Sequence, residues 1–311
     1  MMKQSHRHAF TMIELLFVII ILGIVGGLAL EAVRQYYDGI YRTGEYSKRA
    51  AEADQMLEKI AKYFEYAISD SIVVMDQDSG TGCVGVPPQT DDGHDYTIAF
   101  MTVDYDGLTS NWHTDGNNSF WGPGWGNIGQ STGMQYTSSE SNFTALNTIS
   151  ALGNSAAAIY RSENTGVGTE CSRYNWSGGI AENYTVYRPI QTVDSATGLT
   201  LNGPVSVSGS VDKGYLLRSA YAFRASNGKF NMYTNFQPWQ GEDKDDGNVS
   251  LIGDNVAHFM ISNDDRNTTI NSSIGRMFTL KLCMKGLEEN LSTSEDRDIQ
   301  ICRERMIRVR Y

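Results

Sequence analysis

The feature that most constrains this chain is an uninterrupted apolar run, LLFVIIILGIVGGLAL, at residues 15–30. From Phe10 to Leu30 there are 21 residues. As a helix rising 1.5 Å per residue, that stretch matches a bilayer's hydrocarbon core of about 30 Å. What precedes it is short, polar and basic: MMKQSHRHA, with Lys3 and Arg7. A secretory signal carries its cleavage site after its apolar region. Here the small residue, Ala9, stands before it. The positive-inside rule keeps Lys3 and Arg7 in the cytoplasm and sends the body, from about residue 38 onward, across the membrane. Two other readings of the segment stay open on these grounds. One is a plain signal anchor that tethers the body; the other is a secretory signal cut near Ala29 or Ala32 that releases it.

Glu14 lies inside this segment. A carboxylate in a spanning helix costs about 2.5–3.5 kcal/mol on insertion scales, so such a residue marks a function by default. The bland alternative is a side chain that snorkels to the interface from the helix start. Gly23 and Gly27 form GxxxG with Gly26 beside them, and small residues let helices approach closely in lipid. Glycine is also simply common in spanning helices.

The string AFTMIELLFVIIILGIV resembles the class III leader and methylation motif of type IV pilins and type II secretion pseudopilins. The resemblance implies that an inner-membrane prepilin peptidase cuts between Ala9 and Phe10 and methylates the new amine of Phe10. It implies that Glu14, fifth in the mature chain, neutralises the N-terminus of a neighbouring subunit during assembly. The implied partners are other pilin or pseudopilin subunits, the peptidase/methyltransferase and the inner-membrane assembly platform. Ala9 departs from the family's usual Gly, a change between small side chains. The family's helix-breaking Pro at the twenty-second mature position is here Glu31. The implied location is single-pass in the inner membrane with a periplasmic head, then in the filament.

Four segments follow: a leader at 1–9, a transmembrane and filament-core helix at 10–36, the second half of the spine at 37–70, and a β-rich head at 71–311. The fold class is α+β, a long N-terminal helix followed by an antiparallel sheet with long loops. Met56, Leu57, Ile60, Ala61, Phe64, Ala67 and Ile68 recur at helical spacing. Gly39 and Gly44 cost about 1 kcal/mol each relative to Ala, which predicts a kink or local melting between them. From Ile72 the pattern changes to short strands: SIVVM, YTIAFMTV, AAIYR, YTVYRPI, PVSVSGSV, GYLLRSAYAFRA, KFNMYTN, HFMIS, RMFTLKLCM and DIQICRERMIRVRY. Asp-Gly and Asn-Gly turns, Asn227-Gly228 among them, separate the strands. The spacing in AAEADQMLEKIAKYFEYAIS and in LIGDNVAHFMI with GRMFTLKLCM resembles J-type minor pseudopilins and W-type minor pilins. That resemblance implies a minor subunit at or near the filament tip.

Composition excludes other classes. The net charge is −11, and removing residues 1–9 takes away Lys3 and Arg7, leaving −13 before the new amine is counted. Nucleic-acid binding needs clustered Lys and Arg, so nucleic acid is not expected as the main partner. No GxSxG, HExxH, P-loop or dinucleotide glycine pattern occurs, and no enzyme activity is expected. His94, His113 and His258 lack ligand spacing. The cofactor expectation is none. Calcium is considered only at EDKDDGN, through Asp243, Asp245 and Asp246; calcium takes six to eight oxygens, and solvated turns are the simpler reading. The four cysteines allow three disulfide pairings. Cys283 and Cys302 lie on the last two candidate strands, and a bond there resembles the C-terminal disulfide loop of many pilins; Cys83 with Cys171 follows by elimination. Eight Asn-x-Ser/Thr sites occur, at Asn117, Asn142, Asn175, Asn183, Asn248, Asn267, Asn271 and Asn290. Five carry an acid two residues earlier, which resembles the extended sequon of bacterial periplasmic glycosylation.

Overall fold

A computed structural model describes residues 12–76, 82–86, 96–103, 125–127, 135–137, 158–160, 171, 174–176, 187–195, 198–201, 213–263, 276–285 and 300–309. The chain divides into two compact units, with the boundary between Arg49 and Ala50. One helix, α1 (Met12–Phe64), contributes to both.

In the first unit α1 is continuous through Gly39 and Gly44, where the sequence predicts a kink or local melting. Each glycine weakens the helix by about 1 kcal/mol, but propagation within an established helix is cooperative and local bonds compensate. Thr43 Oγ1 donates to Gly39 O at 2.8 Å, bridging one glycine to the next turn. Gln35 donates to Glu31 at 3.2 Å, and Arg34 lies 3.9 Å from Asp38. These i,i+4 pairs add a few tenths of a kcal/mol each.

The second unit opens with the last turns of α1, whose Ala50, Ala53, Leu57, Ile60 and Phe64 are buried. Their three- and four-residue spacing lines one face. The helix stops at Phe64, short of residue 70, where the expected spine ends. The reason is a handover to sheet bonding: Ile68 N donates to Met101 O at 2.9 Å and Val103 N to Tyr66 O at 3.1 Å.

Among the described residues fourteen strands follow: β1 (Val73–Asp76), β2 (Gly82–Gly85), β3 (Tyr96–Val103), β4 (Trp125–Asn127), β5 (Gln135–Thr137), β6 (Ala158–Tyr160), β7 (Tyr187–Ser195), β8 (Gly198–Leu201), β9 (Lys213–Ser226), β10 (Lys229–Phe236), β11 (Asn248–Asp254), β12 (Val256–Asn263), β13 (Arg276–Lys285) and β14 (Gln300–Val309). They form two antiparallel sheets. The larger has eleven strands in the order β2-β1-β3-β9-β6-β7-β8-β5, with β10 and β4 also on β9 and β11 outside β10. The smaller is β12-β13-β14. β9, at 14 residues, is long enough to pair with β3 and β10 along one half and with β6 and β4 along the other. Asn227 and Gly228, at φ 52° and 75°, make the two-residue hairpin between β9 and β10. Asn255, at φ 60°, ends β11 and starts β12, which pairs with β13 in the second sheet.

β11, β2, β4, β5 and β8 are absent from the strands expected from sequence. The expected strand PVSVSGSV lies outside the described residues. β11 reads NVSLIGD, without alternation, and follows an acidic turn that masks its start.

Alternation along β3 separates the two faces of the larger sheet. Ile98 and Phe100 join the helix-side core, with Phe64, Phe223, Phe230 and Phe259. Phe64 and Phe100 have ring centroids 4.2 Å apart, and Phe230 and Phe259 meet edge-on at 4.9 Å. Ala99 and Met101 join a second core with Cys171, Tyr174, Trp176 and Trp239. There the Trp176 ring nitrogen donates to Ser71 O at 3.1 Å, and Asn175 donates to Pro238 O at 2.7 Å. These two buried side-chain donors are thereby satisfied under the sheet.

Candidate functional site

The N-terminal apolar segment forms a helix because every residue from Leu15 to Leu30 can shed its side chain into an apolar medium while its backbone bonds internally. In α1 this surface is uncovered: Leu22 is 65% exposed and Leu30 73%. An exposed apolar face of this extent marks a lipid or protein contact. α1 is the one helix among the described residues long and apolar enough to cross a membrane.

Glu14 stands in the first turn of α1. The N-terminal end of a helix carries partial positive charge, which favours a carboxylate there by about 0.3–1 kcal/mol. Its neighbours Met12, Ile13, Leu15 and Leu16 are apolar and exposed. The site is thus a lone acid on an otherwise greasy surface, suited to meeting a cation in a low-dielectric setting. Ala9 and Phe10, the expected processing pair, lie outside the described residues.

Gly23 and Gly27 are one turn apart on α1, and a methyl group built at either would touch nothing within 4 Å. Both leave room for a close approach. Further along, Gln35, Tyr36, Gly39, Ile40, Thr43, Gly44 and Ser47 line an open groove of about 520 Å³. Tyr36, Tyr37 and Tyr41 are exposed just beyond the apolar run. Sequence reasoning passed over these tyrosines, although a Tyr-Tyr pair at the end of a spanning segment is the signature of an interfacial belt.

The other candidate residues do not converge on a site. Cys83 is bonded to Cys171, and Cys283 to Cys302. In the β13–β14 register Cys283 faces Cys302 directly, and their Cα atoms are 4.0 Å apart. The first bond ties Cys171 to β2. Asp243, Asp245 and Asp246 surround a short turn, Lys244–Asp246. Asp243 accepts from Asp245 N at 2.7 Å, and Asp246 accepts from Asp243 N at 2.9 Å. Asp245 takes both its bonds, at 2.8 Å, from the buried Lys244. These acids cap a turn and neutralise a lysine, and no metal-holding group of three His, Cys, Asp or Glu occurs among the described residues. Of the glycosylation sequons, Asn175 is buried with its amide engaged, whereas Asn248 is exposed at the start of β11.

Residues 4–30 match the family model for the prokaryotic N-terminal methylation motif. The chain carries the class III leader of the type IV pilin and pseudopilin family. No curated protein and no solved structure matches the chain. With a prepilin leader, the exposed apolar helix reads as a membrane anchor and the antiparallel head as the α+β body expected of a pilin-like protein. The motif implies processing by a prepilin peptidase and assembly with other pilin subunits.

Proposed function

We propose that this chain is a minor pilin or pseudopilin, a structural subunit incorporated at or near the tip of a type IV pilus or type II secretion pseudopilus. Cleavage before Phe10 and methylation of its amine precede incorporation. The observation that carries the reading is Glu14, a single carboxylate in the first turn of a helix whose surrounding surface is apolar and uncovered. In lipid that acid is costly. A neighbouring subunit's positively charged N-terminus would offset the cost at the moment the helix leaves the bilayer. The apolar face would then be covered by the helices of other subunits, and Gly23 and Gly27 would let two of them come close. Tyr36, Tyr37 and Tyr41 support the membrane stage, as amphipathic rings at the outer headgroup level.

The minor assignment rests on the size of the body and on the apolar spacing of 50–69, 251–261 and 275–284. The deciding experiment is Glu14→Ala, expressed in a strain with the assembly machinery. Processing should continue, while the amount recovered in sheared filaments should fall at least tenfold, the equivalent of about 1.4 kcal/mol. Unchanged incorporation would defeat the assembly role and leave a membrane-tethered module that does not polymerise.

A further inference from the structure

We propose that Asn248 is an N-glycosylation site, the acceptor of an oligosaccharide added once the head has crossed the membrane. Asn-x-Ser/Thr is the acceptor sequence of N-linked sugars, which sit on the surface of exported proteins. Two of the eight such asparagines fall among the described residues, Asn175 and Asn248, and their surroundings are opposite. Asn175 is buried, with a left-handed backbone at φ 58°. Its Nδ2, the atom a sugar would occupy, donates to Pro238 O at 2.7 Å. A sugar there would break that bond and open the core that holds Tyr174 and Trp176.

At Asn248 nothing has to open. The whole acceptor triplet, Asn248, Val249 and Ser250, is exposed, and so is Asp246 two residues earlier. Asn248 begins β11 directly after the Lys244–Asp246 turn. Among the described residues β11 is hydrogen-bonded to β10 alone, which leaves its other backbone edge open to an enzyme. Side chains two apart on a strand share a face, so the Asn248 amide and the Ser250 hydroxyl are presented together. None of the β11 side chains is buried, and its ladder to β10 is made by backbone groups. A sugar on Asn248 therefore adds hydrophilic bulk without disturbing the packed sheet.

The donor is a lipid-diphosphate-linked oligosaccharide, and the transfer is a substitution without redox change. Asn248 Nδ2 forms a bond to C1 of the first sugar, and the bond from C1 to the diphosphate oxygen breaks. The lipid diphosphate leaves with the electron pair, and the proton lost by the amide passes to solvent. The site rests on the exported head of the proposed function and adds a modification to it.

The test uses the full chain purified from its native host and digested with trypsin. Cleavage after Lys244 and Arg266 releases peptide 245–266, whose only Asn-x-Ser/Thr is at Asn248. Its mass should exceed the sequence mass by a whole number of sugar residues, with fragmentation placing the addition on Asn248. Ser250→Ala keeps the asparagine but removes the acceptor hydroxyl and should abolish the addition; Ser250→Thr should retain it. Near-ultraviolet circular dichroism should be the same for all three chains, which separates a lost acceptor from a lost fold. The chain made in a host with the prepilin peptidase but no oligosaccharide transferase should give the bare peptide. A bare peptide from the native host, an addition that survives Ser250→Ala, or a sugar on Asn175 would each overturn the proposal. The same digest reads the N-terminus, so a bare peptide in a chain that starts at Phe10 defeats the sugar site and leaves the filament reading standing.

Discussion

Phe64 is where the helix commits to the head, and removing its ring should be among the most damaging single changes to the second unit. It is fully buried, with its ring 4.2 Å from Phe100 and 6.1 Å from Phe223. Phe64→Ala deletes six carbon atoms from a site bounded by other rings that are themselves fixed by β3 and β9. The cavity therefore has little room to collapse, and the cost should fall in the upper part of the usual range of about 3–5 kcal/mol. For a domain of this size each kcal/mol lowers the melting temperature by roughly 2–4 °C, so a drop of about 8–16 °C is expected. The assay is thermal unfolding of the detergent-solubilised protein, followed by near-ultraviolet circular dichroism with the disulfides intact. Leu22→Ala, on the exposed part of α1, is the control and should leave the transition in place. A Phe64→Ala shift no larger than the control's would refute the claim that this aromatic contact anchors the helix to the sheet.

Two further outcomes follow from the head. Replacing Cys283 and Cys302 together by serine frees a loop of 19 residues' separation and should lower stability by about 3 kcal/mol on the chain-entropy account; denaturant titration checks it, and an unchanged midpoint would count against the bond. Asp194 accepts from Thr200 and Thr192, and these bonds hold its carboxyl below the ordinary value of 3.8. A depressed folded-state pKa means the contribution is complete above the unfolded value and is lost as pH falls through the folded one. Amide exchange in β7 and β8 should accordingly accelerate below pH 3.8 in the native protein but not in Asp194→Asn, and identical acid profiles would refute it.

The parts of the molecule legible in sequence are those written in a strong local code. The apolar run and its acid announced α1 and the leader because a spanning helix must satisfy its backbone internally and cannot hide a carboxylate. Leu57, Ile60 and Phe64 were legible because helical spacing puts them on one face. Asn227-Gly228 was legible because both residues tolerate positive φ. β11 was not, since its register to β10 contains an irregularity at Phe230 and Asn231 and none of its side chains is buried, which leaves no alternation to read. The continuity of α1 through Gly39 and Gly44 was missed because glycine's cost was weighed residue by residue, without the cooperativity of the surrounding helix. The division into two sheets was hidden as well: it turns on one residue, Asn255, leaving β11 in a left-handed conformation. In the acidic turn, the bonds of the aspartates to backbone amides and to Lys244 could not be read from composition, which shows only that acids cluster there.

The most direct measurement of the central claim is the mass of the mature chain purified from a host with the prepilin peptidase. A start at Phe10 with one added methyl group and two disulfides is the expected result. A start beyond residue 28, or an uncut chain retaining Met1–Ala9 in such a host, would contradict it.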